Sequence, residues 1–169
     1  MDNLQLLRNR RSVRRFTAQP VSPEQLDQLL RAAMSAPSAG NCQPWHFVVI
    51  DDRAIFEAIM QVHPYSQMLK EAPLAILVCG DQTLERYPGY WVQDCSAATQ
   101  NLLLAAHALG LGAVWLGIYP REERVAAIRK LVGLPDNVTP LSLVAVGQPA
   151  ETPPPVDRFR PERIHTNRW

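Results

Sequence analysis

Arg10-Arg11-Ser12-Val13-Arg14-Arg15-Phe16 packs four guanidinium groups and a hydroxyl into one short stretch near the start of a 169-residue chain. If the stretch is extended, alternation sends Arg10, Ser12 and Arg14 to one face and Arg11, Val13 and Arg15 to the other. The first face is then a row of donors about 13 Å long, at about 3.3 Å per residue. Such an edge suits an anion that continues into further polar atoms. Arginine's rigid fork and permanent charge suit phosphate better than lysine does. Taken alone, the stretch reads equally well as a solvated basic run or a weak nucleic-acid patch. The net charge of +1 weakens the second of these, because no global field draws the chain to nucleic acid or membrane.

The next stretch with chemical content is Ala36-Pro37-Ser38-Ala39-Gly40-Asn41-Cys42-Gln43-Pro44-Trp45. By composition it is a loop. Its small residues let a ligand approach the backbone. The amides of Asn41 and Gln43 carry donors and acceptors that match an imide or pyrimidine edge, and Trp45 offers a broad apolar wall. An ordinary turn-rich connection is the competing reading. Cys42 reads as a small filler within the loop.

Other chemistries find little support. Gly110-Leu111-Gly112 begins like a dinucleotide fingerprint, but Trp115 stands where the third glycine should be and the motif follows a helix instead of a strand. His46, His63, His107 and His165 show no metal spacing. No serine sits in a nucleophile elbow, and Asp51-Asp52 reads as a helix N-cap. Features for an anion and an aromatic ring, without a protein nucleophile or a metal, point to a cofactor that carries the reaction itself.

The elements that must position these groups follow from periodicity and caps. A short helix spans Asp2–Asn9. Ser22-Pro23-Glu24-Gln25 is a capping box with proline at the first helical position, opening a helix that runs to about Ser35. Strands are expected at His46–Ile50, Leu74–Cys79, Ala113–Ile118 and Leu141–Val146, and further helices at Asp52–Val62 and Arg121–Val132. The continuous apolar run Leu74–Cys79 implies a strand covered on both faces. Tyr90–Leu109 is a long helix, apolar nearly all round and stopped by Gly110. It belongs either in a core or at a subunit interface, and the size of the domain favours the interface. The apolar fraction of 47% is that of a soluble globular domain with room for a core. Three widely spaced cysteines imply a reducing, cytoplasmic setting. The proline-rich, charged segment 148–169 nevertheless ends in Trp169, as an arm that packs on something would. Helices alternate with strands, so the class is mixed α and β around one sheet.

In order and spacing, four motifs resemble the FMN-dependent nitroreductase family over nearly the whole chain. They are the arginine stretch followed by Pro20-Val21; the loop Ala36–Trp45; Leu-Gly-Leu-Gly-Ala-Val-Trp-Leu-Gly at 109–117; and Gly147-Gln148-Pro149 with Arg158-Phe159-Arg160 and the last Trp169. The resemblance implies an α+β fold of three α/β/α layers with a central mixed, mainly antiparallel sheet, built as an intertwined homodimer. Residues 1–169 would form one FMN-binding domain, with 148–169 as an arm on the partner. Arg10, Arg11 and Ser12 would hold the FMN phosphate and ribityl chain, and Arg158 and Arg160 would complete the clamp. Arg14 would lie at the flavin pyrimidine edge, where positive charge favours the anionic reduced ring. Pro37, Ser38, Ala39, Gly40 and Asn41 of the other subunit would cover the ring, with Gln43 nearby. Leu116 and Gly117 would present backbone N–H groups toward N5. NADPH or NADH would supply hydride, and a nitroaromatic, quinone or similar acceptor would take two electrons, with no obligatory side-chain acid. Reductive dehalogenation and flavin reduction are alternatives on the same fold, and a non-catalytic FMN-binding dimer is a third reading. The segments His63–Met68 and Arg86–Trp91 would line the open face, where Tyr65, Tyr87, Tyr90 and Trp91 could stack on an aromatic acceptor or serve as core.

Overall fold

Four apolar runs pair edge to edge into one sheet. They are β1 (Trp45–Ile50), β2 (Leu74–Asp81), β3 (Gly112–Gly117) and β4 (Val138–Gly147), in the order β1-β2-β4-β3 with every neighbouring pair antiparallel. The structure is a computed structural model that describes residues 3–169. The parallel component expected of the sheet is one bridge, Ser12 to Ala113, on the outer edge of β3, where Val13 N–H donates to the Ala113 carbonyl at 3.0 Å. β4 starts three residues ahead of the expected Leu141. Pro140 sits inside it, opposite Cys79, where a register shift between Val78 and Cys79 accommodates a residue that cannot donate.

Alternation along the central strands gives the sheet two apolar faces. Ile76, Val78, Val144 and Val146 belong to one buried cluster, and Ala75, Leu77, Leu143 and Ala145 to the other. Helices α2 (Pro23–Met34) and α4 (Trp91–Ala108) cover the first face, while α3 (Arg53–Val62) and α5 (Glu122–Val132) cover the second. The three layers are therefore α/β/α, and β2 and β4 are buried at every position.

The helix ends follow their caps. Ser22 accepts from Gln25 N–H at 3.2 Å, and the Gln25 side chain accepts from Ser22 N–H at 3.0 Å, closing the predicted capping box of α2. Asp52 caps α3 by accepting from Ala54 N–H at 2.8 Å. Gly110, at φ 74°, ends α4, with Leu111 N–H returning to the Ala106 carbonyl. A short α1 (Asn3–Asn9) precedes the arginine stretch. The expected first residue of that helix, Asp2, lies outside the described residues.

α4 packs inside the protomer more fully than its interface reading implied. Trp91, Cys95, Ala98, Leu102, Leu103 and Ala106 face the sheet and α2, and all are buried. Leu104 and Ala105 remain half-exposed. The arm is tied down at its root: Phe16 bridges Pro149, Thr17 N–H donates to the Gln148 carbonyl, and Ala150 N–H to that of Arg15. Farther along, Phe159 and Ile164 are exposed and Trp169 is fully so. Among the described residues no helix is long and apolar enough to cross a membrane.

Candidate functional site

The arginines of the two chain ends meet. Arg8, Arg10 and Arg11 from the N-terminal segment and Arg158 from the arm line one open cleft of about 760 Å³, closed on other sides by Leu7, Val156 and Phe159. Burial, and then the charges of Arg158 and Arg11, push the pKa of Arg10 down from its ordinary value. Among the described residues, no ion pair joins Arg8, Arg10 or Arg158 to a carboxylate. Asp157 in the cleft wall already accepts from Phe159 N–H at 2.9 Å. A cluster of like charges around a half-buried guanidinium is relieved by an anion.

Alternation does not hold through the stretch. Arg10 and Arg11 share the cleft, because the chain is still leaving α1 at Arg10, whose N–H returns to the Leu6 carbonyl. Strand pairing is established only at Ser12. The Arg11 guanidinium donates to four backbone carbonyls, those of Arg8 (2.6 Å), Arg10 (2.8 Å), Pro154 (3.3 Å) and Val156 (3.2 Å). It is thus a strut that fastens the arm to the N-terminal segment. Arg14 projects into solvent with no side-chain partner among the described residues, while its N–H donates to Glu151 at 2.6 Å. Arg160 lies outside the cleft and donates to its neighbour's carbonyl, Phe159, at 3.1 Å.

β3 carries the second part. Val13 N–H binds the Ala113 carbonyl on the outer edge, and Ile118 N–H binds the Leu141 carbonyl on the β4 side. Strand alternation then turns the Leu116 amide toward β4 and the Gly117 amide toward the open edge. Of the two expected amide donors, Gly117 alone faces outward. Gly117 is also the one glycine of eight that the chain itself does not require. Gly40, Gly89, Gly110 and Gly133 have positive φ, and a Cβ at Gly80, Gly112 or Gly147 would collide within 2.6 Å. At Gly117 a Cβ would meet nothing within 4 Å, and the backbone needs no left-handed conformation.

Behind Gly117 stand groups that sequence patterns did not pair. His63, 2% exposed at the C-terminus of α3, brings Nε2 to 3.0 Å from the Gly117 carbonyl. Arg124 of α5 donates to the same oxygen at 3.0 Å. Burial first, and Arg124 after it, lower the pKa of His63 against the opposing pull of the Gly117 carbonyl, so the ring is neutral near pH 7. Tyr65 sits edge-on to His63 and lies 5.9 Å from the Arg124 guanidinium.

The loop before β1 is built tightly. Ala39 N–H donates to Asp94 at 3.0 Å, Gln43 N–H to Ser38 at 3.0 Å, and the Gln43 amide to Asn41 at 3.1 Å. Gly40, Asn41 and Gln43 all have positive φ, a conformation that Gly and Asn tolerate cheaply and Gln does not. Cys42 is half-buried, with its sulfur 3.4 Å from Arg86 N–H. Burial pushes the thiols of Cys79 and Cys95 up to about 12, which leaves them unreactive. The loop enters β1, whereas the arginines and Gly117 follow β3, at the other edge of the sheet. Three strand spacings, about 14 Å, separate the two edges. Asp94 and His107, whose pKa is lowered by burial and then by the charges of Arg10 and Arg11, lie about 20 Å apart along α4.

The family model described as the Nitroreductase family matches residues 7–62 and 57–148. The chain belongs to the nitroreductase family. A relative from Methanothermobacter thermautotrophicus, provisionally named an NADH dehydrogenase/NAD(P)H nitroreductase, is 52% identical over 169 residues, covering all of this chain and 88% of its own. A crystal structure from Parabacteroides distasonis, with the same provisional name, superposes with a TM-score of 0.95 at 42% identity, covering 98% of each chain. Another, from Desulfovibrio desulfuricans, is of a provisionally named nitroreductase in complex with FMN; its TM-score is 0.86 at 33% identity, over 100% of this chain and 98% of that one.

Within this member of the family, the structure brings Arg10, Arg11 and Arg158 together and sets Ser12 and Gly117 along one strand edge. It holds Pro37–Asn41 and Gln43 apart from them. His63 and Arg124 are the neighbours that the sequence did not reveal. They meet Gly117 across separations of 54 and 7 residues, and no local pattern signals such a meeting. No group of three or more His, Cys, Asp or Glu side chains suited to a metal occurs among the described residues.

Proposed function

We propose that the outer edge of β3 is the seat of FMN and that the protein is an FMN-dependent NAD(P)H oxidoreductase acting on nitroaromatics, quinones or similar small acceptors. The observation that carries this reading is Gly117, a glycine with an outward amide that nothing inside the chain requires. Close approach of a flat ring to that amide gives glycine a reason to be there. The residues present fit the group. Arg10 and Arg158 would take the phosphate, answering their unpaired charge. Arg14 is free to reach the pyrimidine edge, with Ser12 beside the ribityl chain. Arg11 supports from behind by holding the arm in place. Bound there, FMN would supply two-electron hydride chemistry at N5, charged by NADPH or NADH and discharged to the acceptor.

The other wall of the site would come from a second copy. One protomer's Pro37–Asn41 loop lies at the opposite sheet edge from its own arginines, so it cannot cover a ring seated on its own β3. An intertwined homodimer resolves this and gives the exposed Phe159, Ile164 and Trp169 a surface to cover. A single open face would serve donor and acceptor in turn, giving ping-pong kinetics. The test is to add NADPH or NADH anaerobically to purified yellow protein and follow the visible flavin absorbance. It should bleach with one or both and recover on adding a quinone or nitroaromatic. A flavin that neither donor bleaches removes the proposal.

A further inference from the structure

β3 ends at Gly117 on an open edge of the sheet. Glycine at the end of an edge strand has the least power to hold its own backbone direction. Yet its carbonyl oxygen receives donors from two elements of the layer beneath, His63 from the end of α3 and Arg124 from the first turn of α5, each at 3.0 Å. The arrangement fixes the imidazole tautomer. The carbonyl only accepts, so the 3.0 Å bond to it needs the proton on Nε2; Arg124 Nη1, itself only a donor and 3.4 Å from Nε2, then bonds the carbonyl and not the ring. Nδ1 is then a lone-pair nitrogen, enclosed and without a partner among the described residues. An orphaned buried acceptor is destabilising. If filling space were the only requirement, leucine would serve His63's position better. Tyr65 braces both donors, edge-on to one ring and 5.9 Å from the guanidinium of the other.

We infer that His63 and Arg124 are positioning residues for the flavin, holding the Gly117 carbonyl so that the amide on the same side of the strand stays aimed at N5. The inference rests on the reading that Gly117 faces FMN. The N–H and C=O of one strand residue point to the same side, so fixing one direction fixes the other. A donor already aimed needs no reorganisation when negative charge develops on the ring. Arg124 adds a fixed positive charge beside the seat, which favours the anionic reduced form and raises the flavin potential.

The experiment compares His63→Leu, His63→Gln, Arg124→Met and Arg124→Lys with wild type. The readouts are FMN affinity, flavin midpoint potential, melting temperature, and amide hydrogen exchange of residues 117 and 118 in FMN-free protein. His63→Leu and Arg124→Met should speed that exchange, weaken FMN by about tenfold, the equivalent of about one hydrogen bond, and lower the potential. His63→Gln and Arg124→Lys, which can still donate, should recover much of each effect. If His63→Leu does not fold, the half-exposed Arg124 site carries the test alone. Wild-type exchange and potential in Arg124→Met would overturn the inference while leaving the FMN seat intact. Failure of the wild-type protein to bind FMN would overturn the site reading, and this inference with it.

Discussion

Gly117 and Arg11 mark the two ways a residue's role can escape its neighbours in sequence. For Gly117, adding a methyl group tests what the backbone alone does not need. Gly117→Ala fits the chain, since its Cβ meets nothing within 4 Å. It also removes glycine's entropy cost, so the melting temperature should stay level or rise slightly. A ring lying on that amide would collide with the methyl group. FMN affinity should fall by about tenfold or more, the binding equivalent of an overpacking penalty of about 1–3 kcal/mol. Titration of FMN beside a thermal melt separates the two effects, and undiminished affinity would take Gly117 out of the seat. That the arginine stretch concentrates positive charge was legible from composition. The division of labour within it was not. Arg11's role is set by Pro154 and Val156, 143 and 145 residues away, and Arg10's by Arg158.

At the scale of elements, α4 lies so close to the sheet that β2 has room only for glycine at position 80. A Cβ there would stand 2.4 Å from Trp91 Cε3, and Trp91 is 5% exposed with little freedom to retreat. Gly80→Ala should therefore destabilise the fold by about 1–3 kcal/mol, read as a lower denaturation midpoint with an unchanged slope. Unaltered stability would mean that α4 can slide on the sheet, and the spacing of the site built across it would then be soft. Most elements were legible because each satisfies its own local rule: the Ser22–Gln25 capping box, Asp52 as N-cap, the apolar run of β2, and Gly110 after α4. The beginning of β4 was hidden by Pro140, which breaks the usual ladder and is tolerated only where the register shifts. The surroundings of α4 were only partly legible for a related reason. Apolarity on every side does not say which neighbour covers which face, and here the sheet and α2 bury one side of the helix within one protomer.

At the scale of the whole molecule, the two halves of the proposed site lie on opposite edges of one sheet, so two-fold assembly becomes a question with an experimental answer. A symmetric dimer in which each site takes its arginines from one chain and its loop from the other has two composite sites. Consider one chain with Arg10→Ala and Arg158→Ala, and another with Asn41→Ala and Gln43→Ala. Each alone should form colourless or nearly colourless homodimers. Unfolded, mixed in equal amounts and refolded together, they form heterodimers with one site doubly damaged and one fully intact. With random pairing, half the dimers are mixed and each carries one good site of two, so about a quarter of the wild-type flavin should return. If each protomer built its whole site alone, mixing would restore none, because no chain in the mixture would carry both intact halves. Flavin content at constant protein concentration, measured on the dimer peak after size exclusion, distinguishes the two. A monomer peak would refute the assembly directly and leave the exposed Trp169 and the distant loop without the surface they need.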